Sequence, residues 1–432
     1  MSDQNSAPVD LIVIGAGMAG MAAALFAVNR GLTVAQVGSS AEIIFASGLL
    51  DLLGVHPIAT GRLWQDPWAA GEALRRDLPR HPYARLSKAD IQGAFTEFCA
   101  FLADAGLPYW IDPGRNTPVL TSLGTFKLTY ALPATMQPGV AARAAGRRCL
   151  IVAIKGLKGF SAPQMAASLA ASWPQLRAAT AAFPGARSGE VYPEKMARAM
   201  ELPAAIEDLA AAIRPHLDGA EAVGLPAILG VGGCRAVAAA LSTALARPVF
   251  EIPSIPPSVP GLRLKEACEQ HLPRKGVRLF LEQRVTEVHP LGDRGFALQV
   301  AGRPGFQTRL ACRSLLMATG RFLGAGLRAE RGRIRETLLD LPVFQPQDRR
   351  QWHRRDFLDS RGHPVNHAGI ETDRYFRPLA TTGRPAFANL FAAGSILAHQ
   401  DWMRMKCGSG LALATALAAV RACRRALAGT LD

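Results

Sequence analysis

Residues 10–37 read DLIVIGAGMAGMAAALFAVNRGLTVAQV, and no other stretch of the chain constrains its fold as tightly. An apolar run, Leu11 to Ile14, meets Gly15-x-Gly17-x-x-Gly20; the helical pattern Met21 to Arg30 and a second apolar run, Leu32 to Val37, come next. Strand, glycine turn, helix and strand within about thirty residues form the dinucleotide-binding βαβ unit. The glycines meet separate steric demands: Gly15 allows the tight turn, Gly17 lets the backbone approach a phosphate, and Gly20 lets helix pack on strand. The helix N-terminus then aims N–H groups and a positive dipole end at an anion.

One part of the fingerprint is missing. An acidic residue should end the second strand and bind the adenosine ribose, but residues 34–40 read VAQVGSS and the first carboxylate is Glu42. No Arg or Lys stands there for a 2′-phosphate either. A phosphate cradle without an adenosine clamp points to a mononucleotide such as FMN, with an unusual mode of FAD binding as the alternative.

At 432 residues the chain suggests two intertwined domains. Just past the nucleotide strand, Ser47-Gly48 sits inside an apolar segment where backbone N–H groups would face a flavin edge; the plain alternative is a helix N-cap at Ser47. Residues 60–275 mix helical stretches (91–105, 163–172, 203–213) with strand-like runs (150–154, 222–229, 249–252) and read as an insertion. Residues 277–302 alternate as a hairpin or meander. A buried strand then ends in Ala318-Thr319-Gly320, and a late strand, Asn389 to Ala393, ends in Gly394-Ser395 before the helix 410–426. GxGxxG, ATG and NLFAAGS in this order make the expected fold class α/β: a Rossmann-like two-domain flavoprotein with an inserted α/β substrate or interface domain. The boundaries expected are 1–59 and 276–432 for the nucleotide-binding domain and 60–275 for the insertion. The expected cofactor residues are Gly15, Gly17, Gly20, Ser47, Gly48, Thr319, Gly320, Gly394 and Ser395.

Composition excludes several classes. The net charge of +15 comes from scattered basic residues without aromatic interleaving, which argues against nucleic acid and leaves an anionic substrate, a membrane surface or a plain basic exterior. Seven widely spaced cysteines include no CxxC pair, so neither zinc nor an iron–sulfur cluster is expected, and the scatter suits reduced thiols. The apolar stretch 411–420 is half the length of a membrane span.

Seven further segments carry a resemblance: ASGLLDLLGVHP (46–57), TSLGTFKLT (121–129), IVAIKGLKGFS (151–161), IPSIPPSVPGLRL (252–264), ATGRFLGAGLRAERGRIRETLLDLPV (318–343), GIETDRYFRP (369–378) and NLFAAGSILA (389–398). Together they resemble the B subunits of the anaerobic glycerol-3-phosphate dehydrogenases over nearly the whole chain. The resemblance implies an FMN-containing protein paired with an FAD-containing A subunit and a membrane-associated iron–sulfur C subunit. Such a complex oxidises sn-glycerol 3-phosphate to dihydroxyacetone phosphate and passes electrons to menaquinone during anaerobic respiration. It also implies a cytoplasmic protein, peripheral on the inner face of the membrane. The family's late glycine run is thinned here to Gly408 and Gly410, which keep a second helix-start anion site in prospect.

Within these segments Arg263, Lys127 and Arg377, with Arg321 beside them, are the candidate phosphate binders, and His363 and His367 are candidate bases for the hydroxyl proton. Arg263 leads because a proline-stiffened loop precedes it. Two rival functions accompany this reading: a free-standing FAD oxidoreductase on another anionic substrate, and a non-catalytic structural subunit. Within the family reading, the flavin here would either meet the alcohol itself or only relay electrons.

Overall fold

The computed structural model describes residues 8–185, 189–302 and 307–431. Two compact units emerge: residues 1–42, 51–98 and 268–432 form one, residues 43–50 and 99–267 the other. In chain order the strands of their main sheets are β1 (Val9–Ile14), β2 (Val34–Gly38), β3 (Cys149–Ile154), β4 (Leu176–Ala181), β5 (Ala222–Pro226), β6 (Val249–Ile252), β7 (Arg278–Leu281), β8 (Arg284–Pro290), β9 (Phe296–Ala301), β10 (Gln307–Met317) and β11 (Leu390–Ala392).

The first unit is built on the order β7-β2-β1-β10-β9-β8, with β11 also on β10. β7, β2, β1, β10 and β11 run parallel, whereas β10, β9 and β8 form an antiparallel meander. The long strand β10 serves both parts: Cys312 to Met317 pair with β1, and Gln307 to Cys312 pair with β9. Register creates the binding edge. Ile14 lies opposite Val37 and Met317, and Met317 opposite Ala392, so four strands end together and their loops leave one edge. That carboxyl edge is where open parallel sheets bind ligands. Apart from Asp10 near its start, β1 is apolar and buried, as a strand covered on both faces requires.

Helix α1 (Met18–Val28) packs against α2 (Gly408–Leu427). Ala19 to Ala27 of α1 are all buried, and its Gly/Ala content gives a thin helix that fits between sheet and α2. Met21, Leu25 and Phe26 are essentially fully buried, each worth about 1.5–3 kcal/mol of transfer free energy.

The second unit carries a four-stranded parallel sheet in the order β6-β5-β3-β4. Phe250 of β6 is seated by two glycines: a Cβ on Gly139 would stand 2.4 Å, and one on Gly224 2.6 Å, from its ring. Beside it lies a buried ion pair. Arg263 donates Nη1 to Glu251 Oε2 at 2.6 Å and Nη2 to Oε1 at 2.8 Å. Thr135 Oγ1 and the Leu229 N–H also donate to this carboxylate, and Arg263 Nε donates to the Gly230 carbonyl at 2.9 Å.

The units divide the chain differently from the expected boundaries. Residues 60–98 group with the first unit, where Arg30 grips Glu97 through two 2.9 Å hydrogen bonds, Arg421 reaches Asp90 and Arg85 reaches Thr372. Residues 43–50 group with the second, where Ser258 Oγ donates to the Ala46 carbonyl at 2.6 Å and Leu50 bridges to Ala131. These pairings join residues far apart in sequence, which local periodicity does not report.

Removing one partner of a buried pair leaves a desolvated charge. Arg263→Met should therefore cost about 3–5 kcal/mol in urea unfolding, and the double variant Arg263→Met/Glu251→Leu should recover most of the loss.

Candidate functional site

The loops at the carboxyl edge of the first sheet close on one another. Gly15 has φ 114°, and a Cβ there would stand 2.2 Å from the Ala318 carbonyl oxygen. A Cβ on Gly20 would stand 1.9 Å from the Gly15 carbonyl oxygen, and one on Gly394 2.6 Å from the Ala19 Cβ. Gly394 N–H donates to Thr415 Oγ1 of α2 at 2.9 Å, and the Cβ position of Gly320 is 3.8 Å from Ser395 Oγ. Gly15, Gly20, Thr319, Gly320, Gly394 and Ser395 are thus gathered around the start of α1.

Gly17 differs from its neighbours. It caps α1 without a side-chain capping bond, and a Cβ there would meet nothing within 4 Å. The open space lies where a phosphate would approach. Two buried polar atoms beside these turns lack partners among the described residues: Thr319 Oγ1, and Gln36 Oε1, whose amide nitrogen donates to the Gly15 carbonyl at 2.9 Å. A glycine cradle with room for a phosphate and unsatisfied polar atoms beside it fits a flavin nucleotide. Ser47 and Gly48 belong to the second unit, where the Gly48 carbonyl accepts from the Tyr109 hydroxyl at 2.7 Å and Ser47 Oγ accepts from the Leu49 N–H at 3.4 Å.

The end of β2 holds what the sequence lacks locally. Ser39 Oγ donates to Glu282 at 3.0 Å, and Ser40 Oγ to Glu269 at 2.5 Å. These carboxylates come from 243 and 229 residues away. Glu282 arrives there because β7, which it follows, pairs with β2, and Glu269 arrives from the helix Val259–Arg274.

The basic candidates separate sharply. Arg263 needs correction as a phosphate binder: it is 4 % exposed and its guanidinium is committed to Glu251. The proline loop does fix it, but against an internal carboxylate. Arg377 also departs from its expected role, since its Nε donates to Asp373 Oδ2 at 2.7 Å and Asp373 Oδ1 braces the same turn by accepting the N–H groups of Tyr375 and Arg377. Lys127 lies half-buried on the strand Phe126–Thr129 of the second unit. Arg321, directly after Gly320, is half-buried and donates to the Asn366 carbonyl, with no ion pair among the described residues. Burial pushes its pKa down while the charge of Asp401 opposes the shift. A cation held out of water without a carboxylate partner is suited to an incoming anion.

The second helix-start site is filled. Gly410 N–H donates to the Asp51 carbonyl at 2.7 Å, and a Cβ on Gly408 would stand 2.8 Å from the Trp402 ring. His363 is also committed, its Nδ1 accepting from the Arg354 N–H at 3.1 Å and its Nε2 lying 3.0 Å from the Phe357 carbonyl. His367 is half-buried, and burial lowers its pKa. Among the described residues no group of His, Cys, Asp and Glu is arranged to hold a metal ion.

The family described as FAD binding domain matches residues 10–411. The chain belongs to this flavin-binding family. It is 30 % identical over 434 residues to a protein of Halobacterium salinarum named as the B subunit of a probable anaerobic glycerol-3-phosphate dehydrogenase, covering 97 % of this chain and 98 % of that one. It is 29 % identical over 423 residues to the anaerobic glycerol-3-phosphate dehydrogenase B subunit of a Vibrio cholerae strain, covering 95 % of both. These relatives place it among the B subunits. Of solved structures, the 3-ketosteroid delta1-dehydrogenase of Sterolibacterium denitrificans is similar at 13 % identity and a TM-score of 0.46, covering 98 % of this chain and all of that one. For this flavoprotein the family description points more directly to FAD than to the FMN expected from the sequence.

Gly17 gives the cradle a clean test. Gly17→Ala adds a methyl group to open space, so the thermal midpoint of the flavin-free chain should stay unchanged. Flavin affinity, followed by fluorescence quenching, should fall at least about tenfold because the methyl group occupies the phosphate's approach.

Proposed function

We propose that this chain is the flavin-bearing B subunit of a respiratory complex that oxidises sn-glycerol 3-phosphate to dihydroxyacetone phosphate. Electrons then pass through an iron–sulfur partner to menaquinone, and an FAD-containing partner completes the complex. The observation that carries this reading is full-length similarity to B subunits so named joined to an open phosphate cradle at the start of α1. The flavin, when bound, supplies the hydride-accepting centre. The protein binds and orients it: the N-terminus of α1 takes phosphate, and Thr319, Ser395 and Gln36 offer polar atoms beside it. Arg321 is the side chain assigned to the substrate phosphate. Attachment at the inner membrane face is assigned to the iron–sulfur partner, since among the described residues no helix is long and apolar enough to cross a membrane.

The flavin in this reading is FMN. No carboxylate ends β2 in sequence, the first being Glu42, and the hydroxyls of Ser39 and Ser40 are bonded within the protein. The family description favours FAD. Acid release and mass analysis of the flavin from the purified chain decide between them. FMN is the expected result, FAD would assign an adenosine site to the end of β2, and no flavin after reconstitution would leave a purely structural role.

Anaerobic addition of sn-glycerol 3-phosphate should bleach the bound flavin of the complete complex. Arg321→Met should raise KM about tenfold to a hundredfold, the worth of one charge-assisted hydrogen bond, with flavin content unchanged. An unaltered KM would remove Arg321 from the substrate site.

A further inference from the structure

Oxidising a secondary alcohol requires a group that takes the hydroxyl proton, and among the described residues neither His363 nor His367 is oriented by a carboxylate hydrogen bond. A third histidine is. The loop after Ser395 is pinned at several points: Ala398 N–H donates to the Ile370 carbonyl at 3.0 Å, His399 N–H to the His367 carbonyl at 2.9 Å, and Gln400 Nε2 to the Ser395 carbonyl at 3.0 Å. Between these anchors His399 is held at φ 65°, a conformation that side chains other than glycine seldom adopt. Its Nε2 stands 2.7 Å from Glu371 Oε1, and its ring centroid lies 4.1 Å from that of Phe344. Arg80 pairs with the same Glu371 oxygen and lies over Phe344 with its guanidinium carbon 5.4 Å from the ring centroid.

These contacts fix more than a position. A carboxylate on Nε2 sets the tautomer with its proton there, which leaves the Nδ1 lone pair as the basic face. Nδ1 has no polar partner among the described residues, and the side chain is 13 % exposed, so the ring is sheltered yet reachable. An imidazole aimed by a carboxylate, itself steadied by a third group, is the arrangement that nucleophilic and general-base sites share. The loop that carries it begins at Gly394 and Ser395, one of the turns gathered around the start of α1.

We propose that His399, oriented by Glu371, accepts the hydroxyl proton of the substrate alcohol. This assignment rests on the reading that the alcohol is oxidised on this chain. The O–H bond breaks toward Nδ1, and the carbinol C–H bond breaks with its electron pair passing as hydride to the flavin. The carbonyl forms, the alcohol is oxidised and the flavin reduced, and the proton leaves the imidazolium for solvent. Glu371 and Arg80 are positioning residues.

The pH dependence has a definite sign. Burial lowers the pKa of His399, the Glu371 carboxylate raises it, and Arg80 and Arg85 lower it further. His367 and His81 also face it; burial pushes His81 down to about 3, so it stays neutral. The base acts when neutral. The rate should therefore be flat at neutral pH and above, and fall on acidification through a value below the ordinary imidazole range.

The test tracks reduction of the bound flavin by sn-glycerol 3-phosphate in the full chain within its complex, in stopped flow from about pH 5 to about pH 9. His399→Asn should slow reduction about a hundredfold or more, lose the acid limb, and regain part of its rate with added imidazole. Glu371→Gln should keep an acid limb but move it to lower pH, because the carboxylate's upward pull is gone. Flavin content and reduction by dithionite should match the parent in both. A His399→Asn chain with the parent's rate and acid limb would overturn the assignment, as would an unmoved limb in Glu371→Gln. Parent flavin in this chain that glycerol 3-phosphate does not reduce would overturn the reading of alcohol oxidation here, and the assignment with it.

Discussion

The first unit depends on how closely α1 approaches its sheet. A Cβ on Gly20 would lie inside the Gly15 carbonyl, and a Cβ on Gly15 inside that of Ala318, so any side chain there would push the helix off β1 and separate the turns. The distance that glycine permits also turns the N-terminus of α1 into a phosphate site, because the strand-end loops can surround it only when the helix lies this low. Gly394 extends the constraint to Ala19, and its N–H ties the late turn to Thr415 of α2. Packing and binding share one cause here: backbone brought to backbone without intervening side chains.

Electrostatics then sort the arginines. Charge alone gives a chain with 49 basic residues no way of telling a site from a scaffold. The structure separates them by partner. Arg263 is desolvated but neutralised by Glu251, and Arg377 is paired four residues along its own turn. Arg321 is half-buried, bonded to a carbonyl and in direct ion-pair contact with no carboxylate among the described residues, though it feels the charge of Asp401, which leaves it the most available of these cations to an anion.

Much of this was legible in the sequence because it is written locally. The GxGxxG unit, the strand ending at Met317, the meander and the late strand to Ala392 all carry their own periodicity and glycines, and they appear where that patterning puts them. The strand Cys149–Ile154 and the helix Pro203–Ile213 were equally readable. What escaped depends on partners far away in the chain. Glu251 is just one polar residue in an apolar strand until Arg263 is folded against it, and Glu282 becomes part of the end of β2 only through pairing of β7. His399 carries no signal of its own in the sequence, because neither Glu371 nor the left-handed backbone beneath it is visible in a one-dimensional pattern.

The pairing of β1 with β10 has a consequence for biosynthesis. Val9 finds its neighbour in Cys312, and the ribosome adds about 5–20 residues per second. The first βαβ unit therefore waits roughly 15 to 60 s with one edge of β1 uncovered, while the whole second unit emerges and becomes able to fold. The cradle for the flavin cannot close before β10 and β11 are made, so cofactor capture is a late event in the life of this polypeptide.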